Sequence, residues 1–289
     1  MSGASQARVD GGVDGGVDGG ADADVRAPVG HGRQPAAWLA HPVVRVLAGL
    51  LLPAALLAGW HTLSSAGVFS PVQLPAPGTV LDAARGLWER DELLGHVHIS
   101  TQRVLVGFAI GASVGVVLGS LLGLSRVADL LLAPTIGAVR AVPSLAWVPL
   151  LILWMKIGED SKVTLIAIGA MFPVFTTVHL ALRHVDRQLV EAARAFGLRD
   201  VRLLTAVQLP AVVPAVFSGL RLALAQSWLF LVAAELIASS QGLGFLLVDS
   251  QNNGRTDRLL LAIVLLALLG KTTDAVLGVV ERWAVRRWA

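Results

Sequence analysis

The sequence predicts an all-α membrane protein of about six transmembrane helices, and three observations carry that prediction. Hydrophobic residues make up 55% of the 289 and mean hydropathy is +0.69. Charged residues are 15%, where a soluble domain would carry about a quarter. Several apolar runs reach the roughly 20 residues that a helix needs to cross a bilayer. These runs are continuous rather than alternating, which favours helices over a barrel because helices satisfy their own backbone in lipid.

Residues 1–37 contain GGVDGGVDGGADAD, a Gly/Asp repeat that cannot bury a core, and are expected to form a disordered tail. The tail has no apolar core of a signal peptide. Residues 38–289 are the membrane domain, with a core of about 98–285. The first span is read at 43–60 as a signal anchor. A polar segment with prolines at 71, 75 and 77 follows, and LDAARGLWERDELLGHV (81–97) is an amphipathic surface helix.

The second span, 103–124, places Gly107, Gly111, Gly115, Gly119 and Gly123 four residues apart. On a helix they form a groove drifting by about 40° per step, along which another helix can approach closely. The third span lies within 128–155, where Pro134 and Pro143 predict a short helix followed by a longer one. KIGEDSK (156–162) is a polar turn, 163–182 the fourth span and 211–238 the fifth. A loop at 239–257 holds GLGFLLVDSQ, which can dip as a short helix, and 258–280 is the sixth span.

Orientation follows from arginine. Residues 183–209 carry five, and the C-terminal tail carries Arg282, Arg286 and Arg287, so both termini are expected in the cytoplasm. The net charge is +3, and +5 without residues 1–37, an excess that these loops explain without nucleic acid. The chain has no cysteine, so disulfides, thiolate catalysis and cysteine-metal sites are excluded.

The charged segment 183–210 interrupts the apolar pattern. EAARAF is good helix material, Gly197 permits a left-handed cap, and Pro210 suits the start of a span. Glu191-Ala192-Ala193, then Gly197, then Val207-x-Leu209-Pro210 resembles the EAA signature of bacterial ABC-importer permeases, at the family's spacing throughout. RVLVGF, RAVPSLAWVPLLILW, MFPVF and VAAELI extend the likeness toward the permeases for aliphatic sulfonates, taurine and nitrate.

The resemblance implies a type I ABC importer permease fold in the bacterial plasma membrane. It implies that Glu191, Ala192, Ala193, Gly197, Leu209 and Pro210 form a cytoplasmic coupling segment docked on a separate ATPase subunit. That partner would use ATP and Mg, with no cofactor on this chain. A second permease copy and an extracytoplasmic binding protein complete the implied assembly. The expected cargo is an aliphatic sulfonate, with taurine, nitrate or a thiamine-precursor pyrimidine as alternatives. The contrasting class is a self-contained secondary transporter or channel, for which neither an inverted repeat nor paired broken helices are visible.

No catalytic set is present. Gly270-Lys271-Thr272 ends like a phosphate loop, but Leu265 stands where the first glycine belongs. The seven histidines show no metal-ligand spacing. Lys271 and Asp274 share a helix face and are expected to pair. Pro143, Ser144 and Trp147 of the third span, with Gln226, Ser227, Trp228 and Glu235 of the fifth, are candidates for the translocation path. Glu235 suits a structural or gating role better than anion contact, since a carboxylate repels a sulfonate.

Overall fold

A computed structural model of the chain describes residues 42–288, and the expected tail at 1–37 lies outside them. The chain divides into two compact units, Met1–Ala55 and Leu56–Ala289. The described part of the first is the N-terminal portion of α1 (Pro42–Ser65), which contains Pro53 and covers the first expected span.

In the second unit, the Nε1 of Trp60 donates to the carbonyl of Pro75 at 2.9 Å, and the Ser64 hydroxyl to that of Leu74 at 3.0 Å. These bonds fasten the proline-rich stretch that follows. α2 (Pro77–Trp88) starts with proline in its first turn, where the missing N–H is not needed. It buries Val80, Ala83 and Leu87, and Val80 and Leu87 pack with Leu246, Leu261 and Ala262.

The expected 81–97 helix is in fact divided. Asp91 adopts a left-handed conformation (φ 57°), and Glu92 starts α3 (Glu92–Leu124), so 92–97 belongs to the long second span. At 33 residues α3 is about 50 Å long. The third expected span is a broken pair. α4 (Arg126–Ala141) and the segment Ser144–Met155, a 3₁₀ turn leading into α5 (Val148–Met155), meet at 85°. The break falls at Val142–Pro143, while Pro134 sits within α4, so the longer piece comes first, the reverse of the expected order.

α6 (Glu159–Arg183) takes in the end of the expected polar turn and is the most enclosed helix. Among the described residues, four helices are long and apolar enough to span a membrane, and five if the bent pair is one span. They are α3, α6, the segment Val201–Ile237 and α11 (Thr256–Trp288).

The bundle is built on α6. On one side it meets the α3 glycines: a Cβ at Gly107 would lie 2.6 Å from Ile166, at Gly115 2.9 Å from Val174, at Gly119 2.9 Å from Val178 and at Gly123 2.8 Å from Leu182. At Gly111 it would overlap the Ala167 carbonyl and lie 2.8 Å from the Ala170 side chain. On the other side α9 (Leu209–Ala238) sets Phe230 over Gly169 and Gly219 against Thr177. Small residues let the backbones approach, and dispersion then stabilises the contact where lipid offers no hydrophobic drive.

Candidate functional site

Two regions concentrate the polar chemistry: the segment after α6 and the far end of the bundle. After α6, Asp186 caps α7 (Arg187–Ala195) by accepting from the Gln188 N–H at 2.8 Å. At its end the Leu198 N–H donates to the Ala193 carbonyl and the Gly197 N–H to that of Arg194, at 3.1 and 2.9 Å. This double closure needs a left-handed residue, and Gly197 supplies it with φ +82°.

Within α7, Glu191 and Ala192 are exposed and Ala193 is buried. Phe196 is 88% exposed, an aromatic ring presented at the tip of a strongly amphipathic helix. Val201 is exposed too. A cleft of about 350 Å³ lined by Arg126, Arg187, Val190, Glu191 and Arg194 joins α7 to the start of α4.

α9 begins at Leu209 with Pro210 in its first turn, as expected, but it does not begin as a separate helix. α8 (Asp200–Leu203) runs through a π turn, Leu204–Gln208, directly into α9. The Leu209 N–H reaches back five residues to the Leu204 carbonyl. Pro210 has no N–H for the ordinary ladder, and the turn just before it widens.

At the opposite end of α3 lies a charged network that sequence reasoning missed. Arg103 is almost wholly buried. Its guanidinium donates to Glu235 at 2.6 Å, to the Gln241 carbonyl at 2.7 Å, and through Nε and Nη2 to both oxygens of Glu159 at 2.6 Å. Glu235 accepts in addition from Ser100 at 2.8 Å and from the Gly244 N–H at 2.8 Å.

Ser100 in turn accepts from the Leu243 N–H, and His96 Nδ1 from the Gly242 N–H. Lys162 binds Glu159 at 3.0 Å. Two cations and two carboxylates from α3, α6 and α9 therefore close on the loop that leads into α10 (Leu243–Asn252). A Cβ at Gly242 (φ +127°) would overlap the Glu235 carboxylate. The available signal was an arginine at the edge of one apolar run and a glutamate inside another, opposite charges that lipid would force together.

Of the translocation-path candidates, Glu235 is thus sealed in this network, with no open wall to line. Ser227 is buried and donates to the Ala223 carbonyl of its own helix. Trp228 is buried and its Nε1 donates to Thr273 of α11 at 3.0 Å. Gln226 is half-buried. Pro143 is exposed at the 85° bend, with Ser144 and Trp147 half-buried beside it.

The expected Lys271–Asp274 pair is replaced. Asp274 receives both Nε and Nη2 of Arg221 from α9 at 2.9 Å, because a guanidinium fork matches a carboxylate better than an ammonium on the same helix. Arg221 also reaches Glu281 at 3.3 Å.

Comparison with known proteins adds four findings. Residues 114–286 match the family model for the binding-protein-dependent transport system inner membrane component. The chain is 40% identical over 234 residues to SsuC of Bacillus subtilis (strain 168), a permease protein assigned to aliphatic sulfonates transport, covering 81% of this chain and 85% of that one. SsuC of Escherichia coli (strain K12) is also 40% identical, over 235 residues, 81% of this chain and 89% of that one. In fold, a chain from an inward-facing structure of the MetNI methionine ABC transporter superposes with a TM-score of 0.51 at 22% identity, covering 71% of this chain and 95% of that one.

Proposed function

The chain belongs to the binding-protein-dependent transport system inner membrane components, the permeases of ABC importers, and on that premise we propose that it carries an aliphatic sulfonate across the plasma membrane. It is the permease component and not itself the ATPase. Two copies would surround the path, each docking α7 on one ATPase subunit, while a binding protein delivers cargo at the outer face. ATP binding would draw the ATPases together, and the motion would reach the spans through α8, the π turn and α9, one continuous helical lever.

The observation that carries the coupling assignment is the exposure of Phe196 at the Gly197-capped end of α7. A free aromatic ring of this size on a fixed helix is an anchor for a partner's pocket. The cytoplasmic position of both termini follows from the arginines of 183–209 and of the α11 end. Six spans result if α1 and the bent pair each cross once.

The sulfonate assignment rests on the two 40% identical relatives. The test is uptake of labelled ethanesulfonate into proteoliposomes holding the permease, its ATPase and its binding protein. ATP-dependent uptake with little competition from taurine or nitrate is expected. Preferential uptake of taurine, nitrate or a pyrimidine would replace the cargo. Uptake without an ATPase would overturn the importer reading.

A further inference from the structure

Arg221, Asp274 and Glu281 keep an unusual position. Arg221 lies 12 residues into α9 and Asp274 eight residues before Arg282, whose neighbour Trp283 is exposed at the end of α11. At 1.5 Å per residue Arg221 lies about 18 Å from Leu209 and Asp274 about 12 Å from Arg282, both inside helices long and apolar enough to span a membrane. Yet their side chains are 43% and 31% exposed, and that of Glu281 is 25% exposed. Charges at this depth face protein or water, not lipid.

The backbone beneath them is shaped for this. Gly278 carries no side chain, and the point its Cβ would occupy is 3.6 Å from Arg282 Nη1 and 3.9 Å from the Arg221 guanidinium. Two guanidiniums thus converge over one glycine. Lys271 lies one turn from Asp274 on the same helix face and is exposed. Three cations face two carboxylates, which leaves one net positive charge.

We propose that this seam between α9 and α11 is a water-lined anion station on the inner half of the translocation path. The sulfonate group, or another small oxyanion, would take Arg221 and Arg282 over Gly278. This deepens the importer reading and rests on it. Guanidiniums suit tetrahedral and planar oxyanions through paired N–H donors. Asp274 and Glu281 hold the two arginines in place and compete with the cargo, so that binding stays weak enough for release.

Because the chain has no native cysteine, Gly278→Cys gives a single reporter thiol. The assembled transporter, in phosphatidylcholine vesicles free of anionic lipid, is treated with a sulfonate-bearing methanethiosulfonate reagent and with a cationic one of similar size. Thiolates react in water, not in lipid. The anionic reagent is expected to react about tenfold faster or more, as a focused positive field requires. Ethanesulfonate is expected to slow it.

Equal rates, no modification, or no protection by any small anion would overturn the station. Protection by nitrate in place of ethanesulfonate would keep the seam and overturn the sulfonate cargo. An adventitious lipid phosphate as the ligand would show as slowing only when anionic lipid is added, which also overturns the proposal. In the exchanged pair Arg221→Asp with Asp274→Arg, a purely structural bridge would regain uptake together with assembly. The station predicts regained assembly without uptake.

Discussion

Arg103 and Glu235, 132 residues apart in the chain, meet at 2.6 Å with side chains 4% and 0% exposed. The pair joins α3 to α9, and through Glu159 and Lys162 it includes α6. It also organises the loop into α10, whose Leu243 and Gly244 N–H groups are satisfied by Ser100 and Glu235.

Breaking this pair from one side leaves a buried charge. Arg103→Ala is expected to destabilise the bundle by about 3–5 kcal/mol. Arg103→Lys is expected to fail as well, since one ammonium cannot fork to both carboxylates. Thermal unfolding of the purified protein in detergent reads the effect, and a wild-type midpoint for Arg103→Ala would refute it. Ser100→Ala, which strands the Leu243 N–H, is expected to cost about 1–3 kcal/mol.

The glycines of α3 differ sharply from Gly137 of α4. Gly111→Leu would drive a side chain into the Ala167 backbone, where nothing flexible can yield. At least the roughly 1–3 kcal/mol of an overpacked core is expected, with loss of the folded bundle. Gly137 has nothing within 4 Å of its Cβ position, so Gly137→Leu is expected to accumulate and unfold like wild type. Protease resistance of the two variants checks the contrast.

Gly197 is needed for its backbone rather than for space, since its Cβ position is also open. Gly197→Val is expected to cost about 1–2 kcal/mol at the end of α7, and Gly197→Asn clearly less. Binding of the ATPase subunit should follow that order. Phe196→Asp removes an exposed ring, so it should leave membrane insertion intact and abolish ATPase binding; retained binding would refute the docking role.

Pro210→Ala restores the missing N–H and removes the reason for the wide turn at Leu204–Gln208. A regular helix there turns everything before it by about 100° relative to α9, the angle of one residue. The variant is expected to be at least as stable as wild type, and the transporter assembled with it to hydrolyse ATP with uptake much reduced. Uptake and ATPase rates measured on the same vesicles decide it.

Much of this was legible in the chain. The series of five glycines is local and periodic, so its shared face could be seen before its partner, α6, was known. The EAA spacing placed a short helix, its glycine cap and a proline within twenty residues. Harder to read were the bend at Val142–Pro143 rather than Pro134, and the division at Asp91, because a proline or a left-handed residue acts only where neighbouring packing lets it. Lys271 and Asp274 look paired on a helix wheel, but Arg221 from another helix takes the carboxylate.

The sequence by itself determined that the chain is helical and membrane-bound, where its helices could pack, and which family it resembles. Those properties depend on composition, on the 3.6-residue period and on short spacings. The tertiary structure alone decided which charges meet: Arg103 with Glu235 and Glu159, and Arg221 with Asp274. For Arg103 and Glu235 the reason is that low-dielectric surroundings force a buried charge to find an opposite one, and for Arg221 it is the match of a guanidinium fork to a carboxylate. Which one it finds depends on helix depth and rotation, and no local pattern in the chain encodes either.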